Sequence, residues 1–369
     1  MKTINMGKYS LINIIAKGGM AELYLAHNHM SGDFKKLVAI KKILPQFSSD
    51  QEFLSLFKNE AKVLLKMEHK NIVTTTDFST HEGQLYLVME YIRGKNIQDL
   101  YLHLLKRREK LPLPMALLIA REIAQGLQYI HGFHDYSTNK RFNIIHRDIS
   151  PNNIMLSYSG QVKIIDFGIA RSENQIELIQ PGTFQGKYGY MSPEQALGEE
   201  LDQRTDIFSL GIILWEMIAN RKLIGGNPEL FPIKNYMNFK VPSFKECKLK
   251  IPFQIERIVK KALEPMVQLR YYDISEMVRD LNLVINFLYP EISDRDLSDY
   301  LGRLFADDIS CDQGLQQQYN IIKEDSLKTD RLNTFTTETQ SSISKSTVFK
   351  FRSQIRIKSS SRNLDKFSE

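Results

Sequence analysis

The chain has 369 residues, 42% hydrophobic and 25% charged, a composition that suits one large or two ordinary soluble domains. Its formal net charge is +6, but Ser341–Glu369 holds seven Lys and Arg with two Asp and Glu, so most of the excess lies there. The nearly neutral remainder argues against nucleic-acid binding as the main function. Cys247 and Cys311 lack partners at metal-ligand spacing, which favours reduced thiols and a cytoplasmic protein. The sequence shows no signal-type apolar core, and no apolar run reaches the ~20 residues that cross a bilayer.

The N-terminal part predicts a β-hairpin. Tyr9–Ile15 and Glu22–His27 are rich in Ile, Leu and Tyr, which is typical of strands. The turn between them has Gly18 next to Gly19, and adjacent glycines let backbone N–H groups approach a phosphate closely. Taken alone, this is an ordinary hairpin. The stretch Val38–Lys41 follows, with a lysine at the end of an apolar run.

Hydrophobic periodicity predicts further elements along the chain. Gln51–Met67 and Pro114–His131 are amphipathic helices with broad apolar faces, and Gln84–Ile92 is an alternating strand. The polar stretch Gly132–Asn143 is predicted to be a surface loop. Helical spacing of apolar residues predicts one more helix at Asp294–Ala306.

The stretch from Ile145 to Gly168 carries the chemistry. Its apolar runs Ile154–Leu156 and Val162–Ile165 predict two buried strands joined by a turn at Tyr158–Gly160. A carboxylate can accept a proton from a hydroxyl, and a carboxylate with an amide can hold Mg²⁺ on a phosphate. Such a hairpin would fix three oxygen-bearing side chains relative to one another, those of Asp148, Asn153 and Asp166.

This stretch resembles the catalytic core of the eukaryotic-like (Hanks-type) serine/threonine protein kinases, in a bacterial subgroup. His146-Arg147-Asp148 is similar to their HRD motif, Asn153 to the catalytic-loop Asn, and Asp166-Phe167-Gly168 to DFG. The resemblance covers about residues 9–290. It implies an α+β, two-lobed protein kinase fold with a small, mainly β lobe (9–92) and a large, mainly α lobe (93–290). A helical extension (291–307) and a polar, Ser/Thr-rich, basic-ended disordered tail (308–369) are expected to follow.

The resemblance implies transfer of the ATP γ-phosphoryl to protein Ser or Thr hydroxyls, with Mg²⁺ or Mn²⁺. Asp148 would accept the hydroxyl proton, Asn153 and Asp166 would hold the metal, and Lys41 would bind phosphates while paired with Glu60. Ala16 and Ala21 replace two glycines of the family's G-x-G-x-x-G pattern. The other implied ATP-binding residues are Ile15, Gly18, Gly19, Leu23, Ala39, Met89 as gatekeeper, Glu90, Ile92 and Leu156 as the pocket floor.

Further matches imply structural or regulatory roles. Glu194, in a segment similar to the family's APE anchor, would pair with Arg270, and Asp206 would hold the catalytic-loop backbone. Arg147 would bind a phosphate in the activation loop, with Thr183 as the nearest acceptor.

Two departures from the family pattern are read together. Ser150 stands where the family has a γ-phosphate-contacting Lys, and Lys187 stands where it has a Thr. The hypothesis is that Lys187 supplies the charge and Ser150 the hydroxyl. The alternative is that Ser150 marks loss of activity and Lys187 is a surface charge.

Three other interpretations compete with an active kinase. They are a nucleotide-binding pseudokinase scaffold, a small-molecule phosphotransferase of kinase-like fold, and a binding module built on the basic tail. Serine/threonine specificity is favoured over tyrosine because the catalytic loop lacks the Ala-Ala-Arg and Arg-Ala-Ala patterns. The expected partners are protein substrates, a second copy for trans-autophosphorylation, and a partner or anionic surface for the basic tail, with no specific nucleic acid.

Overall fold

A computed structural model describes residues 4–29, 35–135, 139–167, 188–224 and 240–311. The first part of the chain forms an antiparallel sheet of six strands in the order β1-β2-β3-β4-β6-β5. The strands are β1 (Ile4–Met6), β2 (Tyr9–Lys17), β3 (Ala21–His29), β4 (Lys35–Ile43), β5 (Thr75–His81) and β6 (Gln84–Glu90). The predicted hairpin and the alternating strand are confirmed as β2, β3 and β6.

One strand of the sheet, β1, lies before the predicted start of the small lobe at residue 9. Strand β1 pairs with β2 in the register Ile4 to Leu11, and Met6 is completely buried in the sheet core. A strand of three residues is too short to show a period of two, so the sequence pattern missed it.

One helix, α1 (Gln51–Leu64), follows β4. The Asp50 side chain caps it by accepting a hydrogen bond from the Phe53 N–H at 3.0 Å. Its buried face includes Phe53, Phe57 and the carboxylate-bearing Glu60. The predicted helix is confirmed, although it ends three residues before Met67.

The large lobe is mainly helical, and its core is built on one buried helix. All residues from Thr205 to Ile218 in the helix Arg204–Ala219 are buried, and the helix Leu113–His131 packs against both this helix and the helix Ile274–Leu288. The predicted helix at Pro114–His131 is confirmed as α3. The helices are α2 (Ile97–Arg107), α3 (Leu113–His131), α4 (Pro193–Leu197), α5 (Arg204–Ala219), α6 (Phe253–Ala262), α7 (Ile274–Leu288) and α8 (Asp294–Leu304).

The large lobe also contains the predicted catalytic hairpin. Strands β7 (Gly94–Asn96), β10 (Ile154–Ser157) and β11 (Val162–Ile164) form a three-stranded sheet in the order β11-β10-β7. Strand β10 pairs with β11 in the register Ile154 to Ile164. The ends of this short hairpin therefore place Asn153 and Asp166 next to each other in the fold.

The described residues of the predicted surface loop 132–143 include two short strands. Strands β8 (His134–Asp135) and β9 (Lys140–Arg141) pair with each other, and residues 136–138 lie outside the described ranges. Asp135 is buried and forms an ion pair with Lys66, which follows α1. Paired strands of two residues leave no periodic signal, so the prediction of a loop was wrong here.

The chain divides into two compact units after Leu304. The predicted C-terminal helix begins at Asp294 as expected and ends at Leu304, within the first unit. In the second unit, 306–311 are helical, with the Ser310 hydroxyl donating to the Ala306 carbonyl at 2.9 Å. Residues 308–311, at the start of the predicted tail, thus continue this helix, and the rest of the predicted tail lies outside the described residues. Within the described ranges, every helix is too short or too polar to span a membrane.

Candidate active site

The catalytic loop is held by one buried carboxylate, as the sequence predicted. Asp206 on α5 accepts hydrogen bonds from the backbone N–H groups of His146 (2.8 Å) and Arg147 (2.9 Å). The His131 ring contacts the same carboxylate at 2.8 Å. Burial alone would raise the pKa of Asp206, but the His131 hydrogen bond and neighbouring charges outweigh it and lower the pKa. The negative charge is thus kept where two loop amides need an acceptor.

Asp148 and Asn153 lie in direct contact. The Asn153 amide nitrogen donates to the Asp148 carbonyl at 2.8 Å and to its carboxylate oxygen Oδ2 at 2.9 Å. The Ile165 N–H donates to the Asn153 carbonyl at 2.9 Å and ties the loop to the hairpin. Because the amide nitrogen is used inside the loop, the amide oxygen remains the acceptor of that side chain.

Lys41 of β4 and Asp166 form an ion pair across the two lobes. The distance from Lys41 Nζ to Asp166 Oδ1 is 2.7 Å, and the side chains are 25% and 45% exposed. Burial would lower the pKa of Lys41, but the charges of Asp166 and Glu60 raise it, so the ammonium stays protonated. Glu60 is buried on α1, and its predicted pairing with Lys41 remains a prediction.

Two residues of the site have backbone conformations that side chains rarely adopt. Arg147 has φ +63° and Asp166 has φ +54°. Left-handed backbone at residues other than glycine costs energy and concentrates at functional sites, where the surrounding structure holds it. Here the Asp206 carboxylate holds Arg147, and the Lys41 ammonium contacts Asp166.

His146 is a buried polar residue of the catalytic loop. Its ring is completely buried, and the centroids of the His146 and Phe167 rings are 5.0 Å apart. Burial lowers the pKa of His146, so the ring stays neutral at physiological pH. Its Nδ1 accepts the Asp148 N–H at 3.3 Å, which orients the residue that carries the candidate base.

The predicted metal ligands provide a suitable donor set. Mg²⁺ prefers oxygen donors and is held in proteins by one or two carboxylates together with phosphate oxygens and water. The Asn153 amide and the Asp166 carboxylate supply such oxygens at the two ends of the hairpin. Among the described residues, no group of three or more His, Cys, Asp and Glu is arranged to hold a metal ion, so the predicted ligands at this site are one carboxylate and one amide.

The glycine-rich turn is open to solvent. Ile15, Ala16, Gly18 and Gly19 are exposed, and Ala21 and Leu23 are partly buried. The Gly18 N–H donates to the Ala21 carbonyl at 2.9 Å, which closes the turn. Lys17 and Glu22 form an ion pair of 3.2 Å at its base.

Strand β6, which ends at the predicted hinge, is held by contacts of Met89 and Glu90. Met89 and Ala39 are both 7% exposed and face each other as pairing partners in β6 and β4. The Glu90 carboxylate accepts hydrogen bonds from Lys163 at 2.8 Å and from the Thr74 N–H at 2.7 Å. The Glu90 side chain therefore holds the lobes together, while Ile92 is partly exposed beside it.

Leu156 does not line an open site, so its predicted role as pocket floor is wrong. It is completely buried. Side chains alternate between the faces of a strand, so Met155, which is partly exposed, lies on the opposite face of β10. Met155 is the better candidate for the floor, and counting the strand alternation from Asn153 would have found it.

The predicted contact between Glu194 and Arg270 is confirmed. The guanidinium donates to both carboxylate oxygens, at 2.6 and 2.7 Å, and both side chains are buried. Thr205 Oγ1 donates to the same carboxylate at 2.9 Å. Burial would raise the pKa of Glu194, but the Arg270 hydrogen bond outweighs it and lowers the pKa.

Ser150 lies in the catalytic loop and is 2% exposed. Its hydroxyl has no hydrogen-bond partner among the described residues. Several predicted residues lie outside those residues: Gly168, Thr183 and Lys187.

Three residues of the site were not predicted from the sequence. His131 contacts Asp206, Lys163 contacts Glu90, and the Gln195 side chain donates to the Arg147 carbonyl at 3.0 Å. His131 is the last residue of a predicted helix. Lys163 lies in a predicted buried strand, and a charged residue inside an apolar run could have indicated that Lys163 has a buried partner.

The chain belongs to the protein kinase family, because the family model "Protein kinase domain" matches residues 9–280. It is 35% identical over 265 residues to "Tyrosine-protein kinase MasK" of Myxococcus xanthus, covering 72% of this chain and 41% of that protein. It is 30% identical over 275 residues to "Serine/threonine-protein kinase PrkC" of Bacillus subtilis, covering 74% of this chain and 40% of that protein. The match thus spans about two fifths of the length of these curated relatives.

The fold is also similar to that of a solved structure, the PknI kinase domain of Mycobacterium tuberculosis. The TM-score is 0.56 at 22% sequence identity, and the alignment covers 77% of this chain and 98% of that domain. At this identity the likeness establishes the fold. The predicted two-part α+β architecture is therefore confirmed.

Proposed function

We propose that the chain is an ATP-dependent protein kinase that transfers the γ-phosphoryl group to Ser or Thr hydroxyls of proteins. The proposal is carried by one arrangement: Asp148, Asn153 and the Lys41–Asp166 pair meet at the ends of one hairpin. The similarity of the chain, at 32% and 30% identity, to relatives named serine/threonine-protein kinases gives additional support.

Each residue has a distinct task in the proposed reaction. The Asp148 carboxylate accepts the proton of the substrate hydroxyl, and the Asn153 amide keeps that carboxylate in one orientation. The Lys41 ammonium stabilises negative charge on the phosphate oxygens. Asn153 and Asp166 would hold Mg²⁺ or Mn²⁺, which supplies charge neutralisation on the phosphates when it is bound.

The decisive test is incubation of the full chain with labelled ATP and Mg²⁺, wild type beside Asp148→Asn. The wild type is expected to label itself, and the amide variant is expected to lose about 10²- to 10⁴-fold in rate, because Asn cannot accept the proton. Absence of label on both, with ATP still raising the melting temperature, would instead support a pseudokinase.

Phosphoamino-acid analysis of the product tests the acceptor. Phosphoserine or phosphothreonine is expected. Phosphotyrosine alone would overturn the Ser/Thr assignment and support the activity in the name of the Myxococcus xanthus relative.

The exchange of Ser150 and Lys187 is part of the same proposal. The buried Ser150 hydroxyl has no partner within the described part of the chain, and an unpaired buried hydroxyl costs about 1–3 kcal/mol, so Ser150 is expected to gain a partner in the working site. Lys187 would supply the phosphate-facing charge. Lys187→Thr should then lose most of the transfer rate, and adding Ser150→Lys should restore part of it. Equal rates for the wild type and Lys187→Thr would refute the exchange.

The remaining expectations concern partners and location. We propose that the chain acts in the cytoplasm on protein substrates and phosphorylates a second copy of itself. The basic tail would dock a partner or an anionic surface, since its last 29 residues combine nine serines with seven Lys and Arg. Deletion of 341–369 without change in autophosphorylation, partner binding or lipid binding would refute the role of the tail.

A further inference from the structure

The helix α8 lies beyond the part of the chain that matches the protein kinase model, yet its backbone touches the catalytic hairpin. Gly160, in the β10–β11 turn, has φ +85°. A Cβ atom at Gly160 would lie 1.9 Å from the Asp294 carbonyl oxygen and 3.1 Å from the Ser298 nitrogen. Only a glycine allows the turn and the first turn of α8 to come this close.

Polar and apolar contacts fix α8 in this place. The Ser298 hydroxyl donates to the Tyr158 carbonyl in the same turn at 2.8 Å. Leu297, Leu301 and Leu304 recur at helical spacing and are at most 5% exposed. The start of the helix is capped, since Asp296 accepts hydrogen bonds from the Ser293 N–H and hydroxyl. Thus α8 is a packed part of the first unit.

The turn is only a short distance along the chain from the predicted metal ligands. Strand β10 has four residues and follows Asn153 directly, and β11 has three residues and ends two positions before Asp166. The hairpin is also closed at that end by the hydrogen bond from the Ile165 N–H to the Asn153 carbonyl. Because the two strands are short and hydrogen-bonded to each other, a shift of the turn would also move Asn153 and Asp166.

We propose that α8 is a positioning element of the active site: by docking on the β10–β11 turn, it fixes the hairpin and thereby the spacing of Asn153 and Asp166. The inference rests on the proposed function, because it assigns those two residues to the metal. It also extends the working catalytic unit to Leu304, 24 residues beyond the end of the family match.

Two glycine substitutions separate docking from backbone strain. Gly160→Ala adds a Cβ against α8. Gly83→Ala is its matched control, because Gly83 lies in the β5–β6 turn with a similar φ of +78° and nothing within 4 Å of the added atom. Both variants strain a left-handed turn, but only the first pushes on the helix.

Amide hydrogen exchange of 294–304 in the full chain reports the docking. Gly160→Ala is expected to raise exchange there about fivefold or more, the effect of losing at least one hydrogen bond, and Gly83→Ala is expected to leave it unchanged. Ser298→Ala, which removes one hydroxyl and adds no bulk, should give a smaller increase. It serves as the test variant if Gly160→Ala fails to fold.

The functional readout is the Mg²⁺ concentration that gives half of the ATP-induced rise in melting temperature. This concentration should increase in each variant that undocks α8 and stay at the wild-type value in Gly83→Ala. Faster exchange in α8 with unchanged Mg²⁺ dependence would overturn the proposal, as would wild-type exchange in both Gly160→Ala and Ser298→Ala. Since binding is measured without transfer, an inactive wild type would refute the proposed function separately.

Discussion

Two ion pairs of nearly the same length have opposite surroundings. Arg270 and Glu194 are joined by two hydrogen bonds of 2.6 and 2.7 Å with side chains that are at most 4% exposed. Lys41 and Asp166 are joined by one bond of 2.7 Å, and the side chains are 25% and 45% exposed. Distance alone therefore does not distinguish a structural pair from a functional one. The two kinds of pair differ instead in the burial of their side chains and in the number of hydrogen bonds that join them.

The buried pair has all its bonds satisfied within the protein. Besides Glu194, the Arg270 guanidinium donates to the carbonyls of Glu264 (2.7 Å), Pro265 (3.0 Å) and Arg204 (3.2 Å). It also lies over the Phe208 ring, 4.8 Å from its centroid. No donor of the Arg270 guanidinium remains for a ligand, so this pair connects α4, which carries Glu194, to the segment after α6.

In the exposed pair, each side chain can exchange its partner for a ligand. A lysine ammonium has three donors and can bind phosphate oxygens as a point charge, while a partly solvated carboxylate can bind a cation without a large desolvation cost. The pair joins β4 to the loop after β11, so ligand charges that enter between Lys41 and Asp166 meet both lobes. This is the arrangement expected of a phosphate and metal site.

The largest expected effect on stability comes from the buried pair. Glu194→Gln leaves the Arg270 charge buried without its counter-ion, and the free energy of unfolding in urea should fall by about 3–5 kcal/mol. The control is Glu256→Gln, which breaks the 2.9 Å pair with the half-exposed Lys260 on α6. That change should cost about 0.5 kcal/mol or less. Similar losses for the two variants would show that burial does not distinguish the pairs.

Asp206→Asn should affect both stability and activity, because Asp206 is buried like Glu194 but contacts the catalytic loop. The amide removes the charge that accepts two backbone N–H groups, so we expect a loss of about 1–3 kcal/mol in unfolding free energy. The transfer rate should fall as well, since Asp148 would no longer be held in one place. Normal transfer at full folding would contradict this role.

The smallest effect is a pH dependence from His146. Its pKa is lowered in the folded state from the ordinary value of 6.5, so the unfolded chain binds the proton more readily. The contribution of His146 to the free energy of unfolding is fully present above about pH 6.5, and it is lost as the pH falls through the pKa of His146 in the folded state. Urea midpoints at pH 7.5, 6.5 and 5.5 should therefore decrease.

The matched variant is His146→Asn, whose smaller amide side chain keeps a hydrogen-bond acceptor but does not titrate. The decrease in midpoint between pH 7.5 and 5.5 should be smaller in this variant than in the wild type. His27 and His69 also have lowered pKa values, so a residual slope is expected. Equal slopes in both proteins would assign the effect to other groups. Asp206 and Glu194 lose their contribution only in more acidic solution, below the ordinary carboxyl range.

Features with a sequence period or a motif could be predicted. The β10–β11 hairpin follows from its two apolar runs, whereas the Asp206 anchor and the Glu194–Arg270 pair were implied by the resemblance of their motifs to those of protein kinases. The prediction of Leu156 as the pocket floor was wrong because an offset of one residue in a strand moves a side chain to the other face. The predicted motif was correct, but the alternation of β10 had to be counted from Asn153.

Features that depend on distant packing could not be predicted. The contact between Gly160 and Asp294 joins two turns 134 positions apart, and neither turn contains a signal for the other. The buried Lys163 needs Glu90 as its partner, which only the folded chain brings near. Likewise, β8 and β9 have two residues each, so their pairing depends on tertiary contacts such as the Lys66–Asp135 ion pair.

The most direct measurement is phosphoryl transfer and urea unfolding on the same samples of wild type and Lys41→Met. If Lys41 serves chemistry, transfer should fall by about 10²-fold or more, since a charge on the phosphates is lost. The unfolding free energy should change by only about 1 kcal/mol or less, because the pair is partly exposed. Preserved transfer, or a loss of stability as large as that of Glu194→Gln, would contradict the functional role of the Lys41–Asp166 pair.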